Sequence, residues 1–134
     1  MCIRDRKYID DAIRIWSGLK EKYLTSKTYP RYLALAHTAL GRAKARDQQP
    51  DEARRKFERS VAILQELLDK DVATDVLEAH SDALIKLADL ERSLENEDRA
   101  ESLTKKSIEQ LKAAAQLNPD NRRLTNKLKV QTGH

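Results

Sequence analysis

Glycine and proline are scarce in this chain, at three residues each in 134. A fold of many short strands needs those residues at its turns, so a sandwich or barrel is excluded and a helical fold is expected. Glycines scattered at 18, 41 and 133 cannot build a phosphate-cradling loop, and neither a Walker-type nor a dinucleotide fingerprint occurs. A single cysteine, Cys2, rules out an internal disulfide. With no Cys-x-x-Cys pair and no Asn-x-Ser/Thr sequon, a reducing, cytoplasmic setting is expected. No apolar run reaches the roughly 18 residues of a membrane span, and the start lacks the apolar stretch of a secretory signal. A membrane is therefore not an expected partner. Charge, by contrast, is abundant: 26 basic and 22 acidic residues give a formal net charge of +4. The two signs interleave, which is the pattern of a solvated surface.

The chain is one domain long, enough to bury roughly two-thirds of its unfolded surface. Apolar residues recur at helical steps. Between Asp51 and Asp69 the series Ala53, Phe57, Ser60, Val61, Leu64 and Leu68 falls on one stripe, with Arg54, Arg55, Arg59 and Glu66 opposite. Pro30, Pro50 and Pro119 mark first helical turns; Asp51, Glu52 and Asp120 suit the positive ends of helix dipoles, and Asn118 is placed to cap. Six helices are expected, at about 7–24, 30–46, 51–69, 75–95, 97–117 and 119–129. Short connections make consecutive helices antiparallel. Residues 1–6 fit no helix pattern, resemble translated adapter sequence and are read as a non-native or disordered leader; residues 130–134 are read as a disordered tail.

A repeat is legible. A step of 47 residues relates Ala53 to Ala100, Ala36 to Ala83, Leu40 to Leu87, Ser60 to Ser107 and Leu64 to Leu111. Ala12 followed by Trp16, and Ala53 followed by Phe57, share an Ala-x-x-x-aromatic signature with a step of 41 between them. With Leu40-Gly41 ahead of Ala53 and Phe57, the unit resembles a tetratricopeptide repeat, in which a Leu-Gly of the first helix precedes an Ala and an aromatic of the second. The next unit has Leu87-Ala88 and Ala100, but Thr104 where the aromatic belongs. Arg31 to His37 with Leu40-Gly41 also resembles longer-period repeats that follow protein-kinase domains in large bacterial signalling proteins. The resemblance implies an all-α, right-handed α-solenoid over residues 7–129. Gly41 and Ala53 would sit at the close approach of paired helices, with Phe57 filling the groove to the next unit.

The resemblance further implies a scaffold that binds a peptide or protein segment in a groove lined by first helices. Carried over position by position, the lining is Leu35, Thr38, Arg42 and Ala45 in one unit and Asp82, Ile85, Asp89 and Arg92 in the next. The carboxylate-clamping variety of the family uses asparagines in those helices; here every Asn, at 96, 118, 121 and 126, lies elsewhere. The alternatives are a non-catalytic regulatory tail of a larger signalling enzyme such as a protein kinase, or weak polyanion or nucleic-acid binding by the basic 42–59 segment; an uncovered repeat face would also permit self-association.

Catalytic chemistry has little footing. His80, Ser81 and Asp82 are adjacent on one helix and point about 100° apart, so they cannot form a relay. His37 and His80 have Gly41 and Leu84 at i+4, which denies them a second metal ligand, and structural roles at helix interfaces are expected. Asp10-Asp11 and Asp69 with Asp71 are read as helix-end charges. Trp16, Tyr23, Tyr29 and Tyr32 are read as core. The basic run Arg42, Lys44, Arg46, Arg54, Arg55, Lys56 and Arg59 lacks interleaved aromatics and is diluted by Asp47, Asp51, Glu52 and Glu58, which argues against nucleic acid. No enzyme activity, metal or cofactor is expected.

Overall fold

The structure, a computed structural model, describes residues 3–22 and 28–133, with side chains from residue 6 onward except at 16 and 18–22. Its elements are α1 (Ile3–Lys22), α2 (Thr28–Arg46), α3 (Pro50–Lys70), α4 (Thr74–Ser93), α5 (Glu97–Leu117) and α6 (Arg122–Thr132), with no strand among the described residues. The chain is all-α.

Antiparallel pairing is written in the cross-helix contacts. Down α2, Ala34 and then Gly41 meet Ser60 and then Phe57 of α3. Down α4, His80, Ser81 and Arg92 meet Gln110, Ser107 and Thr104 of α5. Alternate helices lie parallel. Arg31 of α2 reaches Asp75 of α4 at 3.5 Å, Glu78 of α4 holds Arg123 and Lys127 of α6, and Glu58 of α3 meets Arg99 of α5 at 3.7 Å.

The 47-residue step recurs in the backbone. Ser60 Oγ donates to the Ala34 carbonyl at 2.8 Å, and 47 residues on Ser107 Oγ donates to the Ser81 carbonyl at 2.8 Å. Both first helices end in the same motif. Gln48 N–H bonds Ala45 O while Gln49 N–H bonds Lys44 O; Glu95 N–H bonds Arg92 O while Asn96 N–H bonds Glu91 O. This is the Schellman arrangement, whose left-handed residue is usually glycine. Here it is Gln48 (φ 59°) and Glu95 (φ 62°), each carrying a strain of about 1 kcal/mol. The second helices then start alike, Pro50 opening α3 where a missing N–H costs nothing.

Burial follows the repeat. Leu40, Ala53, Ser60 and Leu64 are essentially inaccessible, and so are Leu87, Ala100, Ser107 and Leu111. Phe57 packs with Ala53, Leu87 and Leu90, with Leu103 at the edge, so it joins the first helix pair to the second. A Cβ on Gly41 would stand 2.6 Å from the Phe57 ring, which is why only hydrogen fits there. Thr104, in the position of the aromatic, turns its hydroxyl back to the Ala100 carbonyl at 2.8 Å.

Several expectations need correction. Helix α1 takes in residues 3–6, where no helix pattern is legible, so Asp10 and Asp11 lie mid-helix and Asp11 pairs with Arg14 at 2.7 Å. Pro119 opens no helix. Asn118 ends α5 with its N–H on the Ala114 carbonyl, and Asn121 caps α6, its side chain accepting from the Arg123 and Leu124 amides. Helix α6 runs past residue 129 to Thr132 and ends on Gly133 at φ 77°. Ala12 is only half-buried, beside exposed Tyr8 and Ile15, so it is no counterpart of the sealed Ala53. Tyr32 is 41% exposed rather than core, with the Arg31 guanidinium 5.0 Å from its ring centre. The Trp16 side chain and Tyr23 lie outside the described residues.

Candidate partner-binding surface

Two adjoining clefts run between α2 and α4. One, of about 360 Å³, is lined by Leu35, Thr38, Ala39 and Arg42 of α2 and by Asp82 and Lys86 of α4. The other, of about 510 Å³, continues from Arg42 and Lys86 past Ala45, Arg46 and Pro50 to Asp89, Leu90, Ser93 and Leu94, with Phe57 at its floor. Arg42 and Lys86 line both, so the two clefts form one channel.

Six of the eight carried-over positions line this channel: Leu35, Thr38, Arg42 and Ala45 on α2, Asp82 and Asp89 on α4. Ile85 and Arg92 do not. On α4 the channel stripe is Asp82, Lys86, Asp89 and Ser93, a four-three-four spacing, which leaves residues 85 and 92 one helical step off it. Arg92 reaches α5 instead, 3.3 Å from Glu97 and 3.4 Å from Thr104. Lys86, outside those eight positions, lines both clefts; its place between Asp82 at i−4 and Asp89 at i+3 is the signal for it in the sequence.

Charges in the channel are not equivalent. Asp82 is held by Lys127 of α6 at 2.6 Å, and Asp89 by Arg92 at 3.4 Å. Arg42, Arg46 and Lys86 have no acidic partner among the described residues. The remaining members of the basic run are dispersed. Arg54, expected on a solvated face, crosses to Glu91 of α4, while Arg55 folds onto Glu52 and the charges of Lys56 and Arg59 act on His37.

Glu91 is the polar centre of the junction between helix pairs. Wholly buried, it takes Arg54 Nε at 2.7 Å on one oxygen, and Asn96 Nδ2 at 2.8 Å and Arg99 Nη1 at 3.3 Å on the other. Burial alone would raise this carboxyl, but the hydrogen bonds from Arg54 and Asn96 and the two guanidinium charges outweigh it and hold the group below the usual range. Glu78 behaves alike: burial raises it, and the bonds from Arg123 and Lys127 bring it net downward. The sequence leaves Glu91 unmarked, since its counterpart 47 residues earlier is Lys44.

Histidines fill structural positions. His80 is fully buried with Gln110 2.7 Å from Nδ1, and His37 is nearly so; Nε2 of His80 and Nδ1 of His37 have no partner among the described residues. Burial first, then Lys56 and Arg59, pushes His37 down to about 4; burial first, then Lys106, does the same to His80. His80, Ser81 and Asp82 bond three different residues, Gln110, Ser107 and Lys127, so no relay forms. Among the described residues no group of three or more His, Cys, Asp or Glu is placed to hold a metal, and no helix is long and apolar enough to cross a membrane.

Fold and surface together define an all-α chain with a recurring helix pair and a channel along its first helices. Neither the protein-family models nor the curated proteins contain a match to this sequence.

Proposed function

We propose that this chain is a protein-interaction scaffold, a tetratricopeptide-like right-handed α-solenoid that binds a peptide or protein segment between α2 and α4, and that it is not an enzyme. The observation carrying this reading is the alignment of α2 and α4. Two helices related by the 47-residue step share one open channel, with Leu35, Ala39, Arg42 and Arg46 of α2 and their counterparts Asp82, Lys86, Asp89 and Ser93 of α4 all lining it. Leu35, 40% exposed, and Leu94, 38% exposed, offer apolar contacts near its two ends, and a groove with apolar contacts and rim charges suits an extended segment. The role is the same if the chain is the regulatory part of a larger signalling enzyme. A general polyanion surface is less well supported, because Arg54 and Arg55 of the basic run are already engaged by carboxylates.

The test is to select binders from a random peptide library and map them by amide chemical shifts in ¹⁵N-labelled protein. Shifts should concentrate at Leu35, Thr38, Ala45, Lys86 and Asp89. Shifts confined to the outer faces of α3 and α5, or no selectable binder, would refute the reading.

A further inference from the structure

The channel carries a charge selection that residue counting conceals. By composition its charges nearly offset, with Asp82 and Asp89 against Arg42, Arg46 and Lys86, an excess of one cation. Geometry widens that excess. Asp82 is neutralised by Lys127 at 2.6 Å, and that lysine is itself steadied by Glu78 at 3.1 Å, so helix α6 supplies a counter-charge to the channel's own acid. Asp89 is engaged by Arg92 at 3.4 Å. The three cations have no acidic partner among the described residues, and two of them, Arg42 and Lys86, stand where the two clefts meet. A ligand therefore encounters unspent positive charge and spent negative charge.

We propose that the channel selects an acidic, extended protein segment, with carboxylates toward Arg42, Lys86 and Arg46 and apolar side chains toward Leu35 and the Leu90–Leu94 end. The proposal rests on the reading of α2 and α4 as a binding groove and specifies its occupant. From Leu35 to Arg46 the channel follows α2 for roughly 16 Å, enough for about five extended residues. Alternation of side chains in such a segment sends every second residue to the floor and lets the residues between meet the rim cations. A basic segment would meet those cations with no free acid to compensate.

The experiment uses three fluorescein-labelled nine-residue peptides with blocked ends and the same leucine framework, the intervening positions being Glu, Ser or Lys. Binding to the full chain is read by anisotropy at 50 mM and 300 mM salt. The Glu peptide should bind at least tenfold more tightly than the Ser peptide at 50 mM, weaken several-fold at 300 mM, and the Lys peptide should not bind. Arg42→Glu with Lys86→Glu should abolish the preference, whereas Lys112→Glu on the outer face of α5 should leave it intact; circular dichroism checks that each variant keeps its helix. Equal binding of all three peptides, tighter binding of the Lys peptide, or a preference that survives the double reversal would overturn the proposal. Displacement of the Glu peptide by heparin at equal charge concentration would overturn it too, by marking a general polyanion surface. If none of the three binds while neutral or basic library peptides shift the α2 and α4 amides, the groove stands and its acidic selection falls; if nothing binds at all, both fall.

Discussion

Lowering the pH from 7 to 5 should cost this protein much of its stability through two histidines, well before its carboxylates titrate. His37 is 7% exposed and His80 not at all, each has a buried ring nitrogen without a partner among the described residues, and each feels repulsion from cations, Lys56 and Arg59 for the first and Lys106 for the second. Their folded values lie at about 4 against an unfolded 6.5. The unfolded chain therefore binds protons through a window in which the native chain does not, and stability falls as pH drops from about 6.5 toward 4, levelling off below. Each imidazole accounts for a loss of about 2 kcal/mol between pH 7 and pH 5, so the pair removes about 4 kcal/mol from a total of roughly 5–15. Glu78 and Glu91 have the opposite shift; what they contribute is present above the ordinary carboxylate value and is lost only as pH falls through their lowered folded values. At pH 5 they are almost untouched. Urea unfolding followed by circular dichroism at the two pH values measures the loss, and the double variant His37→Met with His80→Met should cut it to under about 1 kcal/mol. The readout is a difference within each variant, so any cost of the substitutions cancels, and His134 is retained throughout. A pH loss that survives at full size in the double variant would refute the reasoning, as would imidazole NMR titrations near 6.5 in the folded chain.

Other outcomes can be stated from single contacts. Gly41→Ala places a methyl 2.6 Å from the Phe57 ring and should destabilise by about 1–3 kcal/mol in spite of alanine's better helix propensity; Phe57→Leu in that background should recover part of the loss in urea melts. Gln48→Gly and Glu95→Gly relieve left-handed residues and should each stabilise by about 0.5–1 kcal/mol; a loss of stability at both would show that the Schellman geometry is misread. Glu91→Gln leaves Arg54 and Arg99 without their shared carboxylate and should cost about 2–4 kcal/mol, less than for a sealed pair because both guanidinium groups are partly exposed. A cost under about 0.5 kcal/mol in thermal and urea unfolding would dismiss Glu91 as the polar tie between the helix pairs.

Local sequence was enough for the four central helices, because their causes are local. The three- and four-residue spacing of Ala53, Phe57, Ser60 and Leu64 makes an amphipathic helix whatever lies beside it, and Pro50 followed by Asp51 and Glu52 marks its start. The 47-residue step was legible for the same reason: Ser60 and Ser107 are small where a hydroxyl must reach the facing backbone, and that requirement recurs once per unit. Capping was less legible. Asn118, Pro119 and Asn121 offer competing turn chemistry within four residues, and only the packed positions of α5 and α6 decided which asparagine capped.

What the tertiary structure alone decided concerns pairs distant along the chain. Nothing near Glu91 announces that Arg54, 37 residues earlier, will cross to it. Nothing near Asp82 announces that Lys127 will neutralise it, so a channel with one excess cation by composition becomes more strongly cationic by geometry. Periodicity assigns a residue to a face of its own helix, but which charges on that face remain free depends on helices packed from elsewhere, through contacts of a few ångströms that no local spacing encodes.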